Sequence, residues 1–231
     1  MKPFQFQKFT IQQDENVFRV GTDGVLLGAF CDVSEKGNVL EIGTGTGLIS
    51  LMMAQRNTFA KISAIDINEN AVKLASENFR NSPFAKNLKV ELKDFKNFET
   101  EKKYDLVVCN PPFFEENNSG KDVLARQQVE LNFKNLIEKS AEIITENGIL
   151  SIIIPSESAS EIESLAQKFK FYLIKKINIY GIEGGNLKRN ILEFSFAQKP
   201  IKITDFVIEK SPRKYSEQYL ELTKEFHVFR K

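Results

Sequence analysis

The pattern of apolar and polar residues along the chain predicts β-strands that alternate with amphipathic helices. An apolar run at residues 39–42 predicts a buried strand, and residues 48–54 after it predict a helix. The alternation continues, with strands predicted at 61–66, 88–92, 104–109 and 149–155 and helices at 70–79, 133–144 and 160–169. This order indicates an α/β fold with a mostly parallel sheet, which binds ligands at the C-terminal ends of its strands.

The two ends of the chain carry elements of another kind. Residues 4–11 alternate roughly with a two-residue period and predict a short N-terminal hairpin arm, and residues 22–30 predict a helix. Residues 172–180 and 191–196 predict a closing antiparallel pair of strands. We expect a single domain over residues 1–231, divided into the arm and helix (1–37), the core that carries the site (38–198) and a C-terminal extension (199–231).

Composition narrows the class of protein. Of the 231 residues, 42% are hydrophobic and 27% charged, as in ordinary soluble domains. No apolar run approaches the ~20 residues of a membrane-spanning helix, and the N-terminus lacks the apolar core of a signal peptide, so we expect a cytoplasmic protein. With Cys31, Cys109 and His227 as the only cysteines and histidine, no zinc site is expected. The chemistry must then come from carboxylates, amides, the backbone and a cofactor.

A glycine-rich segment at residues 41–47, with the sequence EIGTGTG, joins the strand at 39–42 to the helix after it. Glycines at such a turn let backbone amides approach a ligand beside a helix N-terminus, so Gly43, Gly45 and Gly47 predict a cofactor site. Their spacing differs from the G-x-G-x-x-G of dinucleotide-binding enzymes. Glu41 would repel a pyrophosphate but can serve a cationic ligand or its ammonium group.

Two carboxylates follow the next two predicted strands. Asp66 ends the strand at 61–66, where a carboxylate can accept hydrogen bonds from both hydroxyls of a ribose, although it can also be read as a helix N-cap. Asp94 comes just after the strand at 88–92 and can accept from an adenine amino group, with Phe95 beside it to pack on the ring.

The combination of E-x-G-x-G-x-G, Asp66 and Asp94 resembles the class I S-adenosylmethionine-dependent methyltransferases. The resemblance implies a Rossmann-like fold with a mostly parallel, seven-stranded sheet flanked by helices. It also implies that S-adenosyl-L-methionine is the cofactor and that its binding residues include Glu41, Gly43, Gly45, Gly47, Asp66, Asp94 and Asn110.

The sequence after the strand at 104–109 predicts the methyl-accepting site. It reads Asn110-Pro111-Pro112-Phe113. A planar amino group is a poor nucleophile until it becomes pyramidal, and hydrogen-bond acceptors for its two N–H groups favour that change. The Asn110 side-chain carbonyl and the Pro111 backbone carbonyl can supply both acceptors. The prolines stiffen the backbone, and Phe113 can stack on an extruded base. The stretch resembles the amino-methyltransferase motif, which suits adenine N6, cytosine N4, guanine N2 or a glutamine amide.

The resemblance extends over essentially the whole chain to one family, the bacterial tRNA (adenine-N6)-methyltransferases that modify the adenine 3′ to the anticodon of a valine tRNA. It is carried by residues 4–9 (FQFQKF), by GTDG at 21–24 and by YSEQY at 215–219. The family implies tRNA as the partner and places Thr22 and Asp23 near the methionine end of the cofactor. Either residue can also be read as the cap of the helix at 22–30.

Basic residues indicate where RNA would bind, although the net charge is only +1. Residues 168–189 hold six basic residues against one acidic residue, and Lys175 and Lys176 within them predict a phosphate-binding patch. Arg126 and Arg189 are further candidate RNA contacts, each of which could equally be a surface ion-pair partner. The polar segment at 114–128 follows the NPPF motif and predicts either a substrate lid or a disordered loop.

Two alternatives remain at this stage. One is a methyltransferase for guanine N2 in ribosomal RNA or for a glutamine amide in a protein, although only about 38 residues precede the first core strand and relatives of that kind carry an extra N-terminal domain. The other is a silent RNA-binding scaffold, against which the intact Asn110 to Phe113 motif argues.

Overall fold

The computed structural model describes residues 1–111 and 133–228. Strands and helices follow in the order β1 (Phe4–Gln5), β2 (Thr10–Ile11), α1 (Thr22–Phe30), β3 (Asn38–Ile42), α2 (Leu48–Arg56), β4 (Lys61–Asp66), α3 (Glu69–Arg80), β5 (Leu88–Leu92), β6 (Tyr104–Cys109), α4 (Phe133–Ile143), β7 (Ile144–Pro155), α5 (Ala159–Lys168), β8 (Tyr172–Ile182), β9 (Leu187–Ser195), β10 (Lys202–Ser211), β11 (Lys214–Tyr215) and α6 (Glu217–Thr223). None of the helices within these residues is long and apolar enough to cross a membrane.

The described strands form a main sheet in the order β11-β10-β8-β9-β7-β6-β3-β4-β5. Strands β5, β4, β3, β6 and β7 run parallel, and β9 is antiparallel to both β7 and β8. The mostly parallel α/β sheet and the antiparallel pair β8–β9 confirm the predicted architecture. The predicted count of seven strands is wrong, because β10 pairs with β8 and β11 pairs with β10, which gives nine.

One predicted boundary also moves. The strand predicted to begin at residue 149 begins at Ile144, directly after α4. Ile144 pairs with Tyr104 and Ile149 pairs with Leu106, so the register shifts between the two pairs. The residues at 145–148, which include the predicted Asn147–Gly148 turn, are absorbed as an irregularity inside β7.

The sheet is covered on both faces by apolar side chains. On one face, Leu26 and Leu27 of α1 pack with Val39 and Leu106, and on the other face Leu136 and Ile137 of α4 pack with Leu40. The predicted N-terminal hairpin is present, with Phe4 opposite Ile11. Because β3, β4, β5 and β6 are parallel, their carboxyl ends lie at the same edge of the sheet, and the residues that follow these strands meet there.

Candidate active site

A cavity of about 490 Å³ lies at this edge, within the range of about 300–1,000 Å³ that is usual for small-molecule sites. The cavity is lined by the glycine-rich turn after β3, by residues at the ends of β4, β5 and β6, and by the segment before α1. The structure therefore brings together most of the predicted site residues, namely Thr22, Asp23, Gly43, Gly45, Asp66, Asp94, Asn110, Pro111 and Arg189.

The glycine-rich turn requires glycine for its backbone shape. Gly43, Gly45 and Gly47 have φ values of 70°, 56° and 82°, which side-chain-bearing residues rarely adopt. A Cβ atom at Gly47 would also lie 2.5 Å from the Phe79 ring. At Gly43 and Gly45 no described atom lies within 4 Å of such a Cβ, so the backbone there is open to a ligand.

Glu41 forms hydrogen bonds that stabilise this turn. Its Oε2 accepts hydrogen bonds from the Thr44 hydroxyl at 2.8 Å, from the Ser50 amide at 3.1 Å and from the Ser50 hydroxyl, which links the turn to the start of α2. The side chain is buried and does not line the cavity, and no described group donates to its Oε1. Burial raises the pKa of Glu41 from its ordinary 4.5 to about 7. The observed contacts of Glu41 are therefore structural, and its predicted contact with the cofactor stays a prediction.

Asp66 joins the end of β4 to the glycine-rich turn. Its Oδ2 accepts the Gly45 amide at 2.8 Å and its Oδ1 accepts the Asn68 amide at 2.9 Å. The residue that caps α3 is Asn68, which accepts the Asn70 amide, so the alternative reading of Asp66 as that cap is wrong. A carboxylate offers about four lone-pair sites, which leaves Asp66 capacity for ligand hydroxyls facing the cavity.

Asp94 lies at the end of the cavity nearest β5. It caps the short 3₁₀ turn Phe95–Asn97 by accepting the Lys96 amide at 2.9 Å. Phe95 is buried beneath it and also lines the cavity. The predicted contact of Asp94 with an adenine amino group stays a prediction.

The methyl-acceptor motif begins where β6 ends in the cavity. Asn110 and Pro111 line the cavity, and among the described residues no group forms a hydrogen bond with the Asn110 side chain. Cys109 beside them is buried, which raises the pKa of its thiol far above the ordinary value and keeps it protonated. Pro112, Phe113, Arg126 and the predicted lid segment at 114–128 lie outside the described residues.

Helix α1 presents Thr22 and Asp23 to the cavity. Its N-cap residue is Gly21, with no side-chain cap, so neither Thr22 nor Asp23 is the cap of this helix. Asp23 instead accepts a hydrogen bond from Arg189 of β9, with 3.0 Å between Arg189 Nε and Asp23 Oδ2. Arg189, predicted as an RNA contact, is thus part of the cavity wall.

The structure argues against Lys175 and Lys176 as one phosphate-binding patch. Adjacent residues of a strand point to opposite faces, and each of these lysines has its own carboxylate partner. Lys175 Nζ lies 3.2 Å from Glu193 Oε1 and also donates to the Phe30 carbonyl, whereas Lys176 Nζ lies 2.7 Å from Glu163 Oε1. Two half-buried, paired cations on opposite faces do not form a common surface.

Two exposed apolar side chains that the sequence pattern did not predict also line the cavity. Phe18 is 71% exposed and Ile67 is 56% exposed. Phe18 belongs to the segment before α1, which is fixed by burial of Val17 and by the Asn68 side-chain amide donating to the Asn16 carbonyl. The position of Ile67 directly after Asp66 was a usable signal, whereas nothing in the local pattern distinguishes Phe18.

Comparison with known proteins identifies the family. The family model "Methyltransferase small domain" matches residues 8–180. A protein of Flavobacteriaceae bacterium (strain 3519-10) named tRNA1(Val) (adenine(37)-N6)-methyltransferase is 52% identical over 231 residues, covering 99% of this chain and 100% of its own. A protein with the same name from Flavobacterium psychrophilum is 41% identical over 231 residues, covering 97% and 99% of the two chains.

Solved structures agree on the fold. A predicted O-methyltransferase from Agrobacterium tumefaciens superposes with a TM-score of 0.70 at 16% identity, over 88% of this chain and 96% of that one. A methyltransferase from Pyrococcus furiosus superposes with a TM-score of 0.60 at 18% identity, over 82% and 90%. These matches confirm the class I methyltransferase fold. The chain therefore belongs to the methyltransferase small-domain family, and within it to the group of proteins named tRNA1(Val) (adenine(37)-N6)-methyltransferase.

Proposed function

We propose that the protein transfers a methyl group from S-adenosylmethionine to the N6 amino group of adenine 37 in a valine tRNA. The observation that carries this proposal is the position of Asn110, which lines the cavity where β6 ends and whose side chain has no hydrogen-bond partner among residues 1–111 and 133–228. The identity of 52% to a relative with this named activity supports the choice of substrate. With this substrate we infer a cytoplasmic location and one catalytic domain over residues 1–231.

The donors and acceptors of the cavity fit S-adenosylmethionine. Adenosine offers ribose hydroxyls and an adenine amino group as donors, and Asp66 and Asp94 supply acceptors at neighbouring strand ends. Ile67 and Phe18 supply apolar surface for the base. Gly43 and Gly45 leave room for close approach of the ligand to the backbone.

The same arrangement fits the opposite, charged end of the ligand. Asp23 lies in the first turn of α1 and lines the same cavity as the glycine-rich turn. Its carboxylate can accept from an ammonium group while it keeps Arg189 as a partner, because two oxygens provide more than one acceptor site.

Bound S-adenosylmethionine supplies an electrophilic methyl group on a sulfonium centre. The work of the protein is to make the adenine amino group nucleophilic and to orient it. Asn110 Oδ1 and the Pro111 carbonyl accept hydrogen bonds from its two N–H groups, which favours the pyramidal nitrogen that carries a lone pair. These acceptors stabilise the positive charge that develops on the nitrogen during attack. The proton is lost after transfer, so no base has to act before the attack.

Methyl transfer to RNA tests the proposal. Bulk tRNA from a strain without this modification is incubated with the protein and methyl-labelled S-adenosylmethionine, then digested to nucleosides and analysed by mass spectrometry. We expect N6-methyladenosine from a single tRNA species. Labelled N2-methylguanosine, or label only in added protein, would replace this proposal by one of the alternatives.

A further inference from the structure

We propose that four exposed cations at the ligand-binding edge of the sheet, Lys188, Lys210, Arg213 and Lys214, bind phosphates of the RNA substrate. We call these residues the hairpin surface, because three of them lie at the β10–β11 hairpin. The proposal rests on the proposed function, since it assigns the substrate backbone to a surface next to the site of that reaction.

The topology brings the hairpin to the ligand-binding edge of the sheet. Strand β10 runs parallel to β8, and because β9 is antiparallel to both β7 and β8, all three of β7, β8 and β10 end at the same edge. Glu209 near the end of β10 pairs with Ile182 of β8. The hairpin that follows Glu209 therefore lies at the same edge of the sheet as Asn110, which comes directly after β6.

A second cavity lies beside the cofactor cavity and reaches the end of β10. Its volume is about 260 Å³, and Thr22, Asp23 and Arg189 line it as they line the cofactor cavity. The far side is formed by Lys188 of β9 and by Glu209 of β10. An RNA strand with one base in the cofactor cavity would thus pass the second cavity and reach the hairpin.

The charges on this surface are available to a ligand. All four side chains belong to exposed residues, and none of them forms an ion pair within residues 1–111 and 133–228. Lys175, Lys176 and Arg189, by contrast, are paired and half-buried. Two carboxylates, Glu183 and Glu209, lie at the same edge, and Glu209 Oε2 already accepts the Arg213 amide at 3.1 Å. The surface is therefore net positive.

An aromatic ring beside the cations favours nucleic acid as the partner. Tyr215 pairs with Glu209, is 44% exposed, and stacks on Tyr219 with 4.4 Å between ring centroids. Cations that follow a backbone, together with an aromatic face for a base, are the usual combination for single-stranded nucleic acid, such as the loop of an anticodon arm.

Charge reversal of two surface lysines tests the proposal. In the variant Lys210→Glu/Lys214→Glu we expect the KM for valine tRNA to rise about tenfold or more, with kcat at saturating tRNA close to wild type. The slope of log Kd for tRNA against log salt concentration should fall by about 2, one for each lost phosphate contact. The affinity for S-adenosylhomocysteine should not change. The neutral variant Lys210→Gln/Lys214→Gln should give a smaller effect in the same direction.

The matched control is Lys199→Glu/Lys202→Glu. These two lysines are also exposed. Lys202 begins β10, about 25 Å from Lys210 by strand rise, and Lys199 precedes the strand. The control should leave KM and the salt slope at wild-type values. If wild type methylates tRNA and the Lys210→Glu/Lys214→Glu variant keeps the wild-type KM, Kd and salt slope, the hairpin surface does not bind RNA phosphates, while the proposed function stands. If wild type methylates no tRNA, the proposed function itself fails.

Discussion

Arg189 Nε donates to Asp23 Oδ2 across 3.0 Å, and this ion pair joins β9 to the first turn of α1. Both residues line the cofactor cavity and also the second cavity, so the pair is a wall that the two cavities share. Its side chains are 23% and 32% exposed, which places it between a buried and a surface ion pair. The pair orients Asp23, because Arg189 occupies one of its oxygens.

A double-mutant cycle tests this coupling. We expect Asp23→Asn and Arg189→Gln each to weaken S-adenosylhomocysteine binding, and the double variant to bind no more weakly than the worse single variant. The coupling free energy should be about 0.5–1 kcal/mol, since the pair is partly solvated. Isothermal titration calorimetry measures all four affinities, and strictly additive losses would show that the two residues act independently.

Removal of the Asn110 side chain should separate chemistry from binding. We expect Asn110→Ala to lose on the order of 10²–10³-fold in kcat, as for removal of one transition-state hydrogen-bonding group, with little change in the Kd for S-adenosylhomocysteine. Asn81→Ala, at an exposed asparagine after α3, is the matched control and should keep wild-type kcat. An Asn110→Ala enzyme with wild-type kcat would exclude the proposed role of the amide.

Phe18 should contribute to cofactor affinity although no local pattern identifies it. Its ring is 71% exposed over the cavity, and a bound adenine would cover it. We expect Phe18→Ala to weaken S-adenosylhomocysteine binding about tenfold, within the range of about 1–3 kcal/mol for a base on an aromatic ring. Phe59 is 90% exposed and does not line the cavity, so Phe59→Ala is the control. Equal affinities for the two variants would remove Phe18 from the site.

Glu41 should make stability depend on pH near neutrality. Burial raises its pKa from 4.5 to about 7, so between these values the folded state holds a proton that the unfolded state has lost. The contribution of Glu41 to the free energy of unfolding is therefore largest at low pH and is lost as pH rises through about 7. We expect the Tm of Glu41→Gln relative to wild type to increase between pH 5 and pH 8, measured without cofactor. A constant difference would mean that Glu41 ionises at its ordinary pKa.

Much of the site could be predicted because its residues follow parallel strands. The glycine-rich turn, Asp66, Asp94 and Asn110 each lie at the end of a strand or within two residues of it, and parallel strands bring their carboxyl ends to one edge. Strands β10 and β11 were missed because β10 lies near the sheet edge. The first four residues of β10 are all exposed, three of them polar or charged, so the alternation of apolar and polar residues is weak.

Pairings between distant residues could not be predicted from local sequence. A count of charges at residues 168–189 predicted a basic patch. However, Lys175 pairs with Glu193 of β9 and Lys176 pairs with Glu163 of α5. The same tertiary information shows that Lys188, Lys210, Arg213 and Lys214 remain exposed at the ligand-binding edge.

The most direct test of the central claim uses two transcripts of the valine tRNA, one with adenine at position 37 and one with that adenine replaced by uridine. Methyl incorporation from S-adenosylmethionine is measured for both with the wild-type protein, and the product is located by nuclease mapping and mass spectrometry. We predict one N6-methyladenosine at position 37 in the first transcript and none in the second. Equal incorporation into both transcripts, or a methyl group on another base, would contradict the proposed function.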